Sequence, residues 1–227
     1  VCSSDLAANS SNNTISGGKG ADSIFSGSST ALINGEEGND LISISAGTSK
    51  NTILGGAGDD SIFNESTNTS ISGDDGRDLI QIYSSAKNNT VSAGKGNDSI
   101  VSEADKVLIN GEDGGDNITL YGTAKNNTVN GGKGNNYVYI YEGSANHTIS
   151  GDSDKDTVHS EGTNILIDTG DGKDLVQLYS DSSSTKNNTV NSGTGDDSIY
   201  SGGATISVNA GEGNDYIHIY TNASKNT

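Results

Sequence analysis

A six-residue loop, rich in glycine and ending in an acid, recurs down the whole chain and constrains the fold more than any other feature. It reads GGKGAD at Gly17–Asp22, GGAGDD at Gly55–Asp60, AGKGND at Ala93–Asp98 and GGKGNN at Gly131–Asn136. Between these stand NGEEGND at Asn34–Asp40, GDDGRD at Gly73–Asp78, GEDGGD at Gly111–Asp116 and GDSDKD at Gly151–Asp156. TGDGKD, SGTGDD and AGEGND close the series at Asp174, Asp197 and Asp215. Self-similarity at a short fixed period is the mark of a repeat architecture, in which each unit buries its apolar face only by stacking on its neighbours.

Two columns of aliphatic residues flank the loop. One follows it: Ile24, Ile42, Ile62, Ile80, Ile100, Ile118, Val138, Val158, Val176, Ile199 and Ile217, spaced by 18, 20, 18, 20, 18, 20, 20, 18, 23 and 18. The other precedes it: Ile15, Ile33, Ile53, Ile71, Val91, Ile109, Val129, Ile149, Ile167, Val190 and Val208. The apolar runs are short, β-branched and bounded by Gly and Asn, so they predict strands and leave no room for a helix. One strand leaves the loop, as in SIF at Ser23–Phe25 or IQIY at Ile80–Tyr83, and one leads back, as in NTIS at Asn13–Ser16. The predicted fold is an all-β solenoid, a parallel β-roll of about eleven turns stacked roughly 4.8 Å apart, giving a rod of about 50 Å.

A second period lies inside the first. Some turns carry a longer outgoing strand, as in ISIS at Ile42–Ser45, ITLY at Ile118–Tyr121, VQLY at Val176–Tyr179 and IHIY at Ile217–Tyr220. These precede a longer return corner with Lys-Asn, at Lys50-Asn51, Lys87-Asn88, Lys125-Asn126, Lys186-Asn187 and Lys225-Asn226. The unit is then a double turn. It slips at Val138, where two long turns adjoin, and the widest spacing reads as an insertion through Ser180–Thr185.

Hydrophobic residues make up 30% of the 227 and the formal net charge is -18. Such a chain builds no thick core, and without the repeat it would read as disordered; a solenoid needs only a thin apolar column. Proline is absent, which suits a ladder that uses every N–H. The acidity argues against nucleic acid and anionic membrane surfaces, and for cations. No stretch approaches the ~18 apolar residues of a membrane span. Val1–Leu6 (VCSSDL) departs from the repeat and reads as a sequencing or cloning scar, leaving residues 7–227 as one repeat domain. The closing SKNT begins a new repeat, so the chain reads as a fragment. Cys2 lies in the scar, and the body has no thiol for disulfides, zinc–thiolate sites or cysteine catalysis.

The loop suits a hard cation. Glycine lets the backbone take positive φ and turn carbonyls inward. Calcium takes six to eight oxygens at about 2.3–2.6 Å, more than one loop supplies and within reach of two stacked loops. The loops resemble the nonapeptide GGxGxDxUx of the repeats-in-toxin (RTX), hemolysin-type calcium-binding family, where U is a large aliphatic. GGKGADSIF at Gly17–Phe25 and GGAGDDSIF at Gly55–Phe63 match in full, and the resemblance spans residues 12–220.

The resemblance implies a right-handed coil with Ca²⁺ between successive loops. It implies carboxylate ligands at Asp22, Asp40, Asp60, Asp78, Asp98, Asp116, Asp156, Asp174, Asp197 and Asp215, the remaining ligands being loop carbonyls. It also implies export unfolded at low calcium and folding outside the cell. The chain departs from the family in having one such loop per turn, so one ion column is expected. Asn136 replaces the acid in turn seven; it can still coordinate, but without charge. In GDSDKD, Asp154 and Lys155 occupy positions four and five. The sites flanking turns seven and eight are therefore expected to be weakest.

Carboxylates stacked about 4.8 Å apart repel by roughly 3 kcal/mol per pair at an effective dielectric of 20. That rivals the burial of one or two Ile per turn, at about 1.5–3 kcal/mol each. The metal-free chain is therefore expected to be loose, and calcium to fold it.

The first functional reading is a non-catalytic calcium-binding module of a larger secreted or cell-surface bacterial protein, acting as a stalk, adhesin part or secretion-linked tail beside other adhesin modules. A second is a solenoid face that binds surface glycans. Tyr83, Tyr121, Tyr141, Tyr179 and Tyr220 end long strands and are expected to face outward, joined locally by Tyr137 and Tyr139. An ice-binding face is disfavoured by the irregular Lys19, Glu37, Ala57, Asp75, Lys95 and Asp113 at the loop's third position. A third reading is the tail of a secreted enzyme, although no turn assembles a nucleophile, base and orienter. The Lys-Asn corners are expected to hold stacked amides and solvated lysines. His147, His159 and His218 read as incidental surface residues that share no repeat position.

Overall fold

The computed structural model describes residues 3–6, 10–179 and 185–220, and every helix or strand among them is a β-strand. Twelve strands, from Ser3–Leu6 and Ser23–Ser26 to Tyr216–Ile219, form one parallel sheet. Eleven strands, from Thr14–Lys19 to Ser207–Asn209, form the other. Each strand pairs with its equivalents one turn before and one turn after. Ile100 stands between Ile80 and Ile118, and Ile109 between Val91 and Val129. The chain is the β-solenoid of about eleven turns that the period predicts. No helix among the described residues is long and apolar enough to cross a membrane.

The core sits between the two sheets. Outgoing strands bury their second and fourth residues, and returning strands bury the aliphatic of the preceding column, because alternate side chains of a strand face opposite sides. The resulting wall of Ile and Val is one or two residues thick and almost wholly shielded. Removing one block should therefore open a cavity that neighbouring turns cannot fill. Ile109→Ala is expected to cost about 2–5 kcal/mol in urea denaturation. Ile217→Ala, at a position 46% exposed in the last described turn, should cost roughly 1 kcal/mol.

The double turn is present, but its basis differs from the expectation. Outgoing strands are all four residues long, so strand length does not alternate. What alternates is the buried fourth residue. It is Ile44, Ile82, Leu120, Ile140 or Leu178 before a long corner, and Ser26, Asn64, Ser102, Ser160 or Ser201 before a short one. A wider corner encloses more interior, which a larger side chain fills. The slip at Val138 is visible as Leu120 and Ile140 in successive turns. The backbone of Ser3–Leu6 lies parallel to Ser23–Ser26, one turn away. The expected insertion at Ser180–Thr185, apart from Thr185, lies outside the described residues, as does the Lys225-Asn226 corner.

The returning strands change halfway. In the first six turns they run on through the second and third loop positions, as Thr14–Lys19 and Leu108–Asp113 do. From Thr128–Asn130 onward they stop before the loop.

Candidate metal centre

The second and fourth residues of the loop have positive φ in every turn except GDSDKD. The fourth is glycine in each of those turns, whereas Glu36, Asp74 and Glu112 hold the second at φ 78°, 73° and 74°. This pair of left-handed residues bends the chain so that the acid at position six points into the corner. Asp22, Asp40, Asp60, Asp78, Asp98, Asp116, Asp156, Asp174 and Asp197 are each 1–3% exposed, and Asn136 joins them at 3%. Asp215, in the last described loop, is half-buried.

Each carboxylate uses its two oxygens differently. Oδ1 accepts the backbone N–H of the position-six residue one turn earlier, at 2.7–3.0 Å, through the whole column from Asp22 to Asp215. This is a structural duty, a side chain capping the backbone of its neighbour. Oδ2 is the other matter. In Asp40, Asp60, Asp78, Asp98, Asp116, Asp156, Asp174 and Asp197 it is buried and has no hydrogen-bond partner. A buried carboxylate oxygen without a donor is costly, and proteins avoid it unless something else compensates.

The electrostatics follow from that burial. Burial, with a contribution from neighbouring acids, pushes Asp60, Asp116 and Asp174 up to about 6 and Asp78 and Asp156 up to about 7, against an accepted backbone hydrogen bond that pulls the other way. Asp40 and Asp98 are raised for the same first cause. The column is therefore ill at ease with its own negative charge near neutral pH.

The donor set fits a hard cation. A Cβ on Gly55 would lie 2.5 Å from Asp60 Oδ2 and 2.6 Å from the Gly73 carbonyl oxygen of the next turn. A carboxylate and a carbonyl thus converge on the space beside Gly55, which its lack of a Cβ leaves open. Among the described residues no three His, Cys, Asp or Glu side chains converge on one point. Side chains alone therefore do not make a cage, and loop carbonyls must contribute.

Asn136 differs from the acids in the group it turns toward the loop. Its Oδ1 is taken by the Asp116 N–H at 2.9 Å. Its Nδ2 faces the loop and donates to the carbonyls of Gly132 and Gly134 at 2.9 and 3.0 Å. The group it turns inward is a donor, where the acids present an acceptor.

Further ladders run beside this column. At position five, Asn39, Asp59, Asn97, Asn135 and Asp196 accept a backbone N–H from an adjacent turn at 2.8–3.1 Å. At position three the irregular charges pair across turns as Lys19–Glu37, Lys95–Asp75 and Lys133–Asp113 at 2.7–2.9 Å. These pairs are exposed and worth about 0–1 kcal/mol each. At the return corner Asn51, Asn89, Asn127 and Asn188 are buried and cap the backbone one turn earlier.

His147 takes that same corner position. It is buried, Nδ1 accepts the Asn127 N–H at 3.1 Å, and burial holds the ring neutral down to about 4. It is therefore neither a surface residue nor outside the repeat. His159 and His218 likewise share one strand position with Gln177 and Tyr200 between them. Outward-facing rings cluster as Tyr121 stacked on Tyr141 at 4.2 Å, then Tyr139, Tyr137, His159 and Tyr179. Tyr83 makes no ring contact among the described residues, so the expected stripe is broken into a larger patch over turns six to nine and a second one, of Tyr200, Tyr216, His218 and Tyr220, over turns ten and eleven.

No curated protein and no solved structure matched the chain. A family match was found, to the RTX calcium-binding nonapeptide repeat (4 copies), over residues 8–42, 43–71, 72–106, 83–118, 111–144 and 183–217. These segments cover more than half of the chain and contain eight of its loops that end in Asp entire, and GGKGNN besides. The chain belongs to the family of RTX calcium-binding nonapeptide repeats.

Proposed function

We propose that this chain is a calcium-binding structural module whose solenoid is completed by ions held along the loop column. Asp22, Asp40, Asp60, Asp78, Asp98, Asp116, Asp156, Asp174, Asp197 and Asp215 supply the carboxylates, through the oxygen not engaged in capping, and loop carbonyls supply the rest. The observation that carries this reading is the row of buried Oδ2 atoms with no donor, repeated turn after turn. A bound divalent ion supplies the positive charge that a dry, acceptor-lined corner lacks. The acids position themselves through Oδ1, the glycines keep the corner open, and the stacked Ile walls exclude water from it.

On this reading the chain serves a larger protein outside the bacterial cell as a stalk, adhesin segment or secretion-linked tail, non-catalytic in itself. Family resemblance and the absence of thiols from the repeats support that setting. Isothermal titration calorimetry tests the metal. Calcium uptake at several sites per chain is expected, with magnesium much weaker, because a site of carbonyls and carboxylates favours the ion that tolerates flexible, high coordination. No heat on adding calcium sinks the reading.

The ring patch favours a second reading. Tyr121, Tyr137, Tyr139, Tyr141 and Tyr179 offer flat apolar faces beside Glu161, which accepts from the Tyr139 hydroxyl at 2.9 Å. Such faces suit the apolar side of a sugar ring. Glycan-array binding that survives Tyr121→Ala and Tyr141→Ala together would remove it.

A further inference from the structure

Turn seven differs from its neighbours in a way that bears on how the ion column is divided. Its loop, GGKGNN, keeps the left-handed residues at Gly132 and Gly134, with φ 79° and 101°. Its position-six side chain is buried like the acids and caps the previous turn in the same manner. What changes is the second arm. Asn136 Nδ2 lies within hydrogen-bond distance of both the Gly132 and the Gly134 carbonyls. Two inward carbonyls therefore already have a donor here, whereas in Asp40, Asp60, Asp78, Asp98, Asp116, Asp156, Asp174 and Asp197 the corresponding arm is an acceptor with none.

The adjoining turn adds a further hydrogen bond to this loop. GDSDKD has no left-handed residue, and its Asp154 carboxylate accepts the Gly134 N–H at 2.8 Å. The same place marks the change from returning strands that enter the loop to strands that stop before it.

We infer that turn seven is an ion-free turn, in which the Asn136 amide group supplies the positive partner that a calcium ion supplies elsewhere, so that the ion column is two blocks joined by a metal-independent segment. This rests on the calcium reading above for the other turns. An amide N–H carries part of a positive charge and reaches two carbonyls, so it satisfies the loop without metal. It also offers no anionic oxygen, so an ion entering this loop would gain less and would have to displace two hydrogen bonds. The joint between turns six and eight then stays ordered when calcium is scarce, and each block folds from it as the ions arrive.

Two reciprocal substitutions test this. Bound calcium is measured by equilibrium dialysis with atomic emission, and amide hydrogen exchange is followed by mass spectrometry in EDTA. Asn136→Asp is expected to bind one more ion per chain than the parent and to lose the EDTA-resistant protection of residues 132–136. Asp98→Asn is expected to bind one fewer and to gain protection over residues 94–98. Equal stoichiometry in the parent and N136D, or loop-seven amides that exchange in EDTA as fast as those of loop five, overturns the inference while leaving the calcium reading intact. A parent and an N136D chain that both take up no calcium overturn the two together.

Discussion

In EDTA at pH 7.5 the chain is expected to lose most of its strand circular dichroism, and lowering the pH to 5 in the same chelator is expected to restore a large part of it. The reason lies in the raised carboxylates. Asp60, Asp116 and Asp174 sit at about 6 and Asp78 and Asp156 at about 7, against an ordinary 3.8, chiefly because burial disfavours their charge. A group that binds its proton more tightly folded than unfolded stabilises the fold fully below the unfolded value and loses that contribution as pH rises through the folded one. For these acids the stabilisation is complete below 3.8 and disappears between about 6 and 7. Acidification from 7.5 to 5 therefore favours the metal-free coil.

His147 works against this. Its folded value is about 4 against an ordinary 6.5, so its contribution is present above 6.5 and is lost as pH falls toward 4. One histidine opposes at least five acids, so the net sign is set by the acids. Calcium should reverse the trend, because protons then compete with the ion for the same oxygens. A metal-free chain whose strand signal is independent of pH between 5 and 7.5 would sink this account of the column.

The second large effect is expected at Gly114→Ala. Gly114 has φ +148°, and a Cβ there would overlap the Gly96 carbonyl oxygen one turn away. The carbonyl belongs to backbone that is itself held in the ladder, so it has nowhere to go. The strain of the left-handed conformation is about 1–3 kcal/mol, and the overlap between turns adds to it. The variant should melt well below the parent even at saturating calcium, or fail to fold. Gly18→Ala is the matched control. Its φ is +98°, and a Cβ there meets nothing within 4 Å, so it should cost only about 1–2 kcal/mol. Glu36, Asp74 and Glu112 hold the equivalent position with a side chain, which shows that the fold tolerates one there. Equal melting temperatures for G114A and G18A would show that the stacking of successive turns is not limited by this contact.

Much of the architecture was legible before any coordinates. Ile24, Ile42 and Ile62 mark one column and Ile15, Ile33 and Ile53 the other, and both are buried as their spacing implies. The acids at Asp22, Asp40 and Asp60 were legible as one row because each ends the same loop. The alternation of corners was legible too, although its cause was misread as strand length when it lies in Ile44 against Ser26 at a shared interior position. His147 was misread because histidine does not resemble asparagine in sequence, yet its Nδ1 accepts the same kind of backbone N–H that Asn127 Oδ1 accepts. Aligning the corners by their distance to the next strand would have placed it.

What the sequence determined by itself is the period, the strands, the two apolar columns and the acid at each corner. Each of these is a local pattern, readable within one turn and confirmed by recurrence. The tertiary structure decided how those corners are used: that Oδ1 is engaged and Oδ2 is not, that Asn136 turns a donor inward, that Lys95 meets Asp75, and that the rings gather in two patches. All of these depend on the neighbour lying one turn away in exact register, 18 to 23 residues off along the chain, and a side chain's partner across that gap is set by the stacking of backbones, which no single turn encodes.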